Sequence, residues 1–153
     1  MKIIFVGSTG VHHSLIAANI YLEKLDQADY QNLNLWGDLD KEALGFPIFV
    51  NNDRWGNSVY SLGVGADVLM VVKSIKQLVK MLNCSERDLI VTPVFIKRER
   101  LVLLLHTVGC NKFLNQIFLP IIGYLLKKEF AFIRQQVREF KSGADLPKCH
   151  FRH

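Results

Sequence analysis

The first 25 residues constrain the fold more than any other part of the chain, because they predict a strand, a glycine-containing turn and a helix in succession. Residues 2–7 are mostly apolar and include three β-branched side chains, which is typical of a strand buried on both faces. The run ends in Gly7-Ser8-Thr9-Gly10. A mostly apolar helix is predicted from about 13 to 25. Such a βα unit favours an α/β fold.

The middle of the chain continues this alternation. Residues 48–50 and 58–62 predict a β-hairpin, since the segment 51–57 between them is rich in Asn, Asp and Gly. Asp53, Arg54 and Trp55 at its tip are candidates for a lid or a partner surface, although exposed turn residues usually only shape the turn.

A glycine-containing segment at 63–67 follows the hairpin, and it fits a tight turn into a helix better than the start of a GxGxxG motif, because Val68 replaces the third Gly. Such a turn could place the Gly65 amide near the first loop. Asp67 is suited to cap a helix that ends near Asn83. A buried strand is predicted at 89–94.

The C-terminal third is harder to assign. Residues 100–116 predict a helix with Gly109 as a point where it can bend. Residues 117–126 fit either a final strand or a second buried helix, and we favour the strand because of Pro120 and Gly123. From residue 127 the apolar spacing predicts a helix that ends at 141–143.

Together these elements predict a single three-layer α/β domain over 1–143. It has a mainly parallel sheet, a P-loop-like first βα turn and one β-hairpin. Residues 144–153 are expected to form a flexible tail. The length of 153 residues suits one domain, and a hydrophobic content of 50% excludes a disordered chain.

The N-terminus lacks a signal-peptide pattern, and the three cysteines form no CxxC motif, so we expect a cytoplasmic protein with reduced thiols. Polar residues interrupt the apolar stretch 101–126, and no membrane span is predicted. Cys149 with His150 and His153 is more consistent with a frayed tail than with a metal site, so no metal and no cofactor are predicted.

Charge is distributed unevenly along the chain. Residues 1–90 contain 8 Lys and Arg against 10 Asp and Glu, whereas residues 91–153 contain 11 against 4. The basic residues alternate with Glu129 and Glu139 on a predicted helix, which favours a solvated helix face over a polyanion-binding face. The sequence carries no clear nucleic-acid signal.

The loop between the first strand and the first helix is the candidate ligand-binding site. It matches the phosphate-loop pattern GxxxxGK[ST] only at its first and last positions, since His12 and His13 replace Gly and Lys, and ATP hydrolysis is therefore disfavoured. Free amides at a helix N-terminus still attract anions. The expected ligand-binding residues are Gly7, Ser8, Thr9, Gly10, Val11, His12, His13 and Ser14.

The paired histidines leave several roles open. His12 or His13 can donate a hydrogen bond to an anion, act as acid or base, or accept a phosphoryl group. In the structural alternative, Ser14 or His13 caps the helix and His12 packs on a neighbour. The sequence does not decide whether the protein is an enzyme, and His106 fits a core histidine better than a ligand.

Several segments together resemble the uncharacterised DUF3189 family of Firmicutes over nearly the whole chain. They are Met1-Lys2-Ile3-Ile4-Phe5, Gly10-Val11-His12-His13-Ser14, the segment 55–63 and Ile122-Gly123. The resemblance places His12 and Ser14 on the family's His and Ser. Gly7 stands where the family often has Cys, which disfavours a thiolate nucleophile. The resemblance implies an α/β domain of unknown function.

The expected function is therefore binding of a small phosphate-bearing or other anionic ligand at the first βα loop. The alternative is a non-enzymatic protein-protein interaction module that uses the hairpin or the basic C-terminal half. A carboxylate or basic side chain converging on His12 favours an enzyme. A large exposed apolar patch together with an occluded loop favours the module.

Overall fold

The computed structural model of the protein describes residues 1–30, 32–85, 88–109 and 111–143. Its centre is a four-stranded sheet in the order β2-β3-β1-β4. The strands are β1 (Lys2–Gly7), β2 (Ile48–Asn52), β3 (Ser58–Gly63) and β4 (Leu89–Pro93). β1 lies parallel to both β3 and β4, whereas β2 pairs antiparallel with β3 as the predicted hairpin.

The helices in the described residues cover both faces of this sheet. They are α1 (His13–Tyr21), α2 (Leu39–Ala43), α3 (Val68–Met81), α4 (Glu99–Val108) and α5 (Lys112–Gly143). The three-layer α/β fold with a mainly parallel sheet is thus confirmed.

Alternation along β1 explains the layers, because successive side chains of a strand point to opposite faces. Ile3 and Phe5 pack into the larger core with α1, α4 and α5. Ile4 and Val6 pack against Val68 and the rest of the smaller core beneath α3. A strand with an apolar core on each side must be apolar throughout, as the first residues of the chain are.

The tip of the hairpin is shaped by the Asp53 carboxylate. It accepts hydrogen bonds from the amide nitrogens of Trp55 at 2.9 Å and Asn57 at 2.8 Å, and from the Tyr21 hydroxyl at 3.0 Å. The Arg54 guanidinium stacks on Trp55, 4.1 Å from the ring centroid. These contacts explain Asp53 as a turn-forming residue that also ties the hairpin to α1.

The preference for a strand at 117–126 is wrong, because these residues lie inside the 32-residue helix α5. Proline at position 120 costs the helix one backbone hydrogen bond. Burial of Ile122 and Leu126 in the same core as Ile133 offsets that cost, since all three lie on one face of the helix.

Other boundaries differ by a few residues. α1 ends at Tyr21, earlier than predicted, and Gly109 ends α4 instead of bending a single helix. Asp67 occupies the N-cap position of α3, but its side chain makes no capping hydrogen bond. The predicted tail 144–153 lies outside the described residues. None of the helices in the described ranges combines the length and hydropathy that crossing a membrane requires.

Candidate functional site

The loop after β1 lies at the carboxyl edge of the sheet, between the segments that leave β3 and β4. The Val64 amide donates to the Gly7 carbonyl at 3.0 Å, and the Gly65 amide donates to the Ser8 carbonyl at 3.1 Å. On the other side, the Val94 amide donates to the Val6 carbonyl at 2.8 Å. These bonds fix the loop, and Gly65 does lie beside it as expected.

His13 fills the interior of the loop. The Ser8 amide donates to its Nε2 at 3.2 Å, which leaves the proton on Nδ1 to be donated to the Thr9 hydroxyl at 3.3 Å. A side chain at Gly7 would overlap the His13 ring, so only glycine fits there. Burial lowers the pKa of His13 to about 4, and the ring is neutral. A P-loop presents free backbone amides to its ligand, whereas the interior of this loop is filled by the imidazole of His13.

Ser14 is also directed into the loop. Its hydroxyl donates to the Thr9 carbonyl at 2.6 Å and lies 2.8 Å from the hydroxyl of Ser61 on β3. The Ser61 hydroxyl in turn donates to the Gly10 carbonyl. The two buried hydroxyls thus brace the loop against β3.

An anion is already bound to the loop, and it is the carboxylate of Glu42 on α2. Both of its oxygens lie 2.8 Å from the Gly10 amide nitrogen. Burial raises the pKa of Glu42, and hydrogen bonds from the Gly10 and Val11 amides partly oppose that effect by favouring the charged form. A side chain at Gly63 would overlap the Glu42 carboxylate. We call this cradle of Gly10, Val11 and Gly63 the amide nest.

His12 lies on the opposite side of the loop, towards α4. The ring is fully buried, and its centroid is 5.2 Å from those of Trp36 and His106, both in edge-to-face contact. Neither ring nitrogen has a hydrogen-bond partner in the described ranges. Burial, and then the nearby His106 and His13, lower the pKa of His12 well below its ordinary value, so the ring is neutral.

Ser8 and Glu99 lie on the same side of the loop as His12. The Ser8 hydroxyl is close enough to lower the pKa of Glu99, although burial, the larger effect, raises it. The contact falls outside hydrogen-bond geometry, and within the described chain both Ser8 Oγ and Glu99 Oε1 are buried without a partner.

The eight residues predicted from the sequence form one continuous, almost wholly buried loop. Its geometry separates them into three groups: the amides that meet Glu42, the interior side chains of His13 and Ser14, and the Ser8 hydroxyl and His12 ring, for which the described residues provide no atom in hydrogen-bond geometry. Sequence reasoning missed Glu42 and Glu99. Both reach the loop through long-range contacts, for which the local sequence offers no signal. The described residues contain no group of three or more His, Cys, Asp or Glu arranged to hold a metal ion.

Comparison with known proteins gives one match. A family model described as "Protein of unknown function (DUF3189)" matches residues 2–142. Neither the curated proteins nor the solved structures include a match to the chain.

Proposed function

The chain belongs to the DUF3189 family of proteins of unknown function, and we propose that its first βα loop binds a small phosphate-bearing or other anionic ligand. The observation that carries this proposal is the seating of both Glu42 oxygens 2.8 Å from the Gly10 amide nitrogen. A nest that holds a carboxylate has the donors that a phosphate or a ligand carboxylate needs.

The position of the nest also favours the binding of an anion from solution. The nest lies just before α1, a nine-residue helix whose N-terminal dipole end favours negative charge. Glycine at positions 10 and 63 brings the two backbones together around the anion.

Glu42 is the natural competitor of such a ligand. It lies on α2, a five-residue helix in which no residue is buried as a whole, although the Glu42 carboxylate itself is withdrawn from solvent. A helix with so little buried surface can move at low cost, because few apolar contacts are lost. We infer that the ligand enters the nest as the Glu42 carboxylate leaves it.

Calorimetric titration of the full chain with inorganic phosphate at constant ionic strength tests the proposal. We expect saturable 1:1 binding that Gly10→Ala abolishes, since a Cβ at Gly10 would lie 2.8 Å from the Gly63 nitrogen and 3.0 Å from Glu42 Oε2. Gly123→Ala is the matched control, because a Cβ there meets only Trp36 at 3.9 Å. Circular dichroism verifies that each variant is folded. Absence of binding by phosphate, sulfate and acetate alike would contradict the proposal.

A second candidate function, a protein-protein interaction module, is favoured by an exposed apolar surface on α4 and α5 together with the burial of the first loop. We call this surface the α4–α5 face, and Lys97, Arg98, Arg100, Lys127 and Lys128 lie exposed on the same two helices or beside them. Its apolar members are Leu101, Leu104, Val108, Phe113, Ile117, Ile121 and Tyr124, each between 43% and 71% exposed. Exposed apolar side chains in such number commonly mark an interaction site.

A second copy of the chain is the partner that can be tested directly. We expect sedimentation equilibrium to show self-association that Leu104→Glu removes. Leu69→Glu on α3 is the control, since Leu69 is 56% exposed and lies on another helix. A monomer at all concentrations would contradict self-association.

The proposed location is the cytoplasm. It is supported by Cys84, which is exposed as a free thiol in the described chain.

A further inference from the structure

The outer side of β4 is an open edge of the sheet. The Asp88 carbonyl accepts a hydrogen bond from β1 and the Val94 amide donates one to β1, each at 2.8 Å. Backbone groups of successive residues in a strand point to alternate sides, so the amides and carbonyls of Leu89 and Val91 point away from β1. Within the described ranges, no strand pairs with this side of β4.

A groove runs along this edge, between the second half of α3 and the end of α5. It consists of two open cavities of about 380 and 320 Å³, and both are lined by Lys76, Ile90 and Val91. The first cavity extends over the α3 side to Val79, Lys80 and Leu89. The second extends over the α5 side to Thr92, Pro93, Phe140 and Gly143. We call the two cavities together the β4 groove. A chain laid along β4 would lie between two helices.

The other edge of the sheet, on β2, is less suited to a further strand. The pairing of β2 with β3 shifts register between Phe49 and Asn51, and such bulges commonly protect an edge against added strands. β4 pairs with β1 in one continuous register from Leu89 to Pro93. β4 is therefore the edge on which a regular strand can be added, up to Pro93, which has no amide.

The lining of the groove indicates which side chains such a strand would carry. Lys76 and Lys80 line the α3 side, and among the described residues no Asp or Glu lines either cavity. The Phe140 ring lines the α5 side. Side chains of an added strand would alternate between these two sides, so the groove fits a segment in which acidic and apolar residues alternate.

The chain's own C-terminal segment, 144–153, has a different composition. It contains one acidic residue, Asp145, against Lys148 and Arg152, and Pro147 has no amide to donate. Its charge and its proline therefore match the groove less well than an acidic segment of another protein does.

We propose that the β4 groove binds an extended acidic segment of a partner protein, which joins the four-stranded sheet as a further strand beside β4. The backbones of Leu89 and Val91 each provide one donor and one acceptor for it. Lys76 attracts its carboxylates. The inference is independent of the anion site, because the groove includes no residue of the first βα loop or of α2.

Calorimetric titration of the full chain with an acetylated and amidated eight-residue peptide of alternating Glu and Val tests the inference. We expect saturable 1:1 binding to the wild type. Lys76→Glu should weaken it by about five-fold or more, because an attraction becomes a repulsion. Lys127→Glu is the matched control, since it makes the same change of charge about 20 Å from Phe140 along α5 and should have little effect.

Two N-methylated forms of the peptide distinguish strand addition from attraction of charge. One form is methylated on the amide of every Glu and the other on that of every Val, so each blocks one edge of the peptide backbone. We expect one form to bind at least about 10-fold more weakly, the equivalent of a lost hydrogen bond, and the other to bind as the parent peptide does. Equal affinities of the two forms overturn the inference.

A change in the chain locates the same contact. Leu89→Pro removes an outward amide at the first residue of β4, where strands tolerate proline, and should weaken binding by about 10-fold. Leu89→Ala shortens the same side chain but keeps the amide, and should change the affinity by less than about three-fold. If Leu89→Pro does not fold, as circular dichroism would show, the two methylated peptides on the wild type decide.

The remaining outcomes assign the groove to another occupant or to none. Absence of binding to the wild type overturns the inference, as do equal effects of Lys76→Glu and Lys127→Glu. Binding that appears only in Leu146→Pro would show that the C-terminal segment occupies the groove, and the inference would be wrong. Self-association that Leu89→Pro removes in sedimentation equilibrium would assign the groove to a second copy of the chain, and would overturn it as well.

Discussion

Both carboxylate oxygens of Glu42 lie 2.8 Å from the amide nitrogen of Gly10, 32 residues away in sequence. This contact ties the short helix α2 to the start of α1. It also means that the amides which would receive an anion are satisfied by the chain itself. The free energy of binding an external anion therefore depends on how much more strongly the nest attracts that anion than it attracts the Glu42 carboxylate.

Replacing Glu42 should strengthen anion binding. Hydrogen bonds to a charged group contribute about 1.5–3 kcal/mol, so loss of the competing charge in Glu42→Gln should tighten phosphate binding by about 10-fold or more. Calorimetric titration measures the change. Asp40→Asn removes the same charge from the same helix and should leave the phosphate affinity within about two-fold of the wild type, as expected of a surface charge screened by salt. Equal effects of the two substitutions would indicate general electrostatics instead of competition.

His13 should make the protein sensitive to acid. Its pKa is about 4 in the folded chain and near 6.5 when unfolded, so the unfolded state binds more protons between these values. The stability that a neutral His13 contributes is present above pH 6.5 and is lost as the pH falls towards 4. The loss from this residue reaches about 2 kcal/mol by pH 5.

Urea unfolding at pH 7 and pH 5 measures that loss. His13→Gln should reduce the difference between the two free energies of unfolding, although His12, whose pKa is also lowered, retains part of it. A variant that loses as much stability as the wild type between these two pH values would show that His13 is not the titrating group.

Much of the fold follows from local patterns. The apolar run of β1, the Asn- and Gly-rich turn of the hairpin and the periodic stripe of α3 each predict their element, because the required burial is visible within a few residues. The assignment of 117–126 failed since α5 is apolar on its exposed side as well. Ile121 and Tyr124 face outwards while Ile122 and Leu126 are buried, so no polar face marks the helix.

The sequence indicates where the candidate site lies, but it does not indicate which distant side chains contact it. The glycines and histidines of the loop indicate its place at a strand-to-helix turn. Its electrostatics depend on Glu42 and Glu99, which folding brings from 32 and 91 positions beyond Gly10 and Ser8. Such pairings have no local signature.

We expect the main role of Ser14 to be stabilisation of the folded loop. Its hydroxyl is buried between the Thr9 carbonyl and Ser61, so Ser14→Ala leaves buried polar groups with fewer partners and should lower the free energy of unfolding by about 1–3 kcal/mol. Ser142→Ala removes an exposed hydroxyl that donates to the Glu139 carbonyl and should change stability by less than about 0.5 kcal/mol. Urea unfolding at neutral pH compares the two. Equal stabilities of Ser14→Ala and the wild type would refute the bracing role.

Gly63 should be required for the closed form of the nest. A side chain there would overlap the Glu42 carboxylate and the Gly10 nitrogen, so Gly63→Ala should destabilise the protein by about 1–3 kcal/mol, the usual cost of overpacking. Gly123→Ala lies inside α5 with space for a methyl group and should be neutral or stabilising by up to about 1 kcal/mol. If Glu42 supplies part of the overlap, Gly63→Ala should cost less in a Glu42→Ala background, and the double-mutant cycle by urea unfolding gives the coupling energy. A coupling of zero would mean that the overlap with the Gly10 backbone alone makes glycine necessary, and that Glu42 is not held against Gly63 in solution.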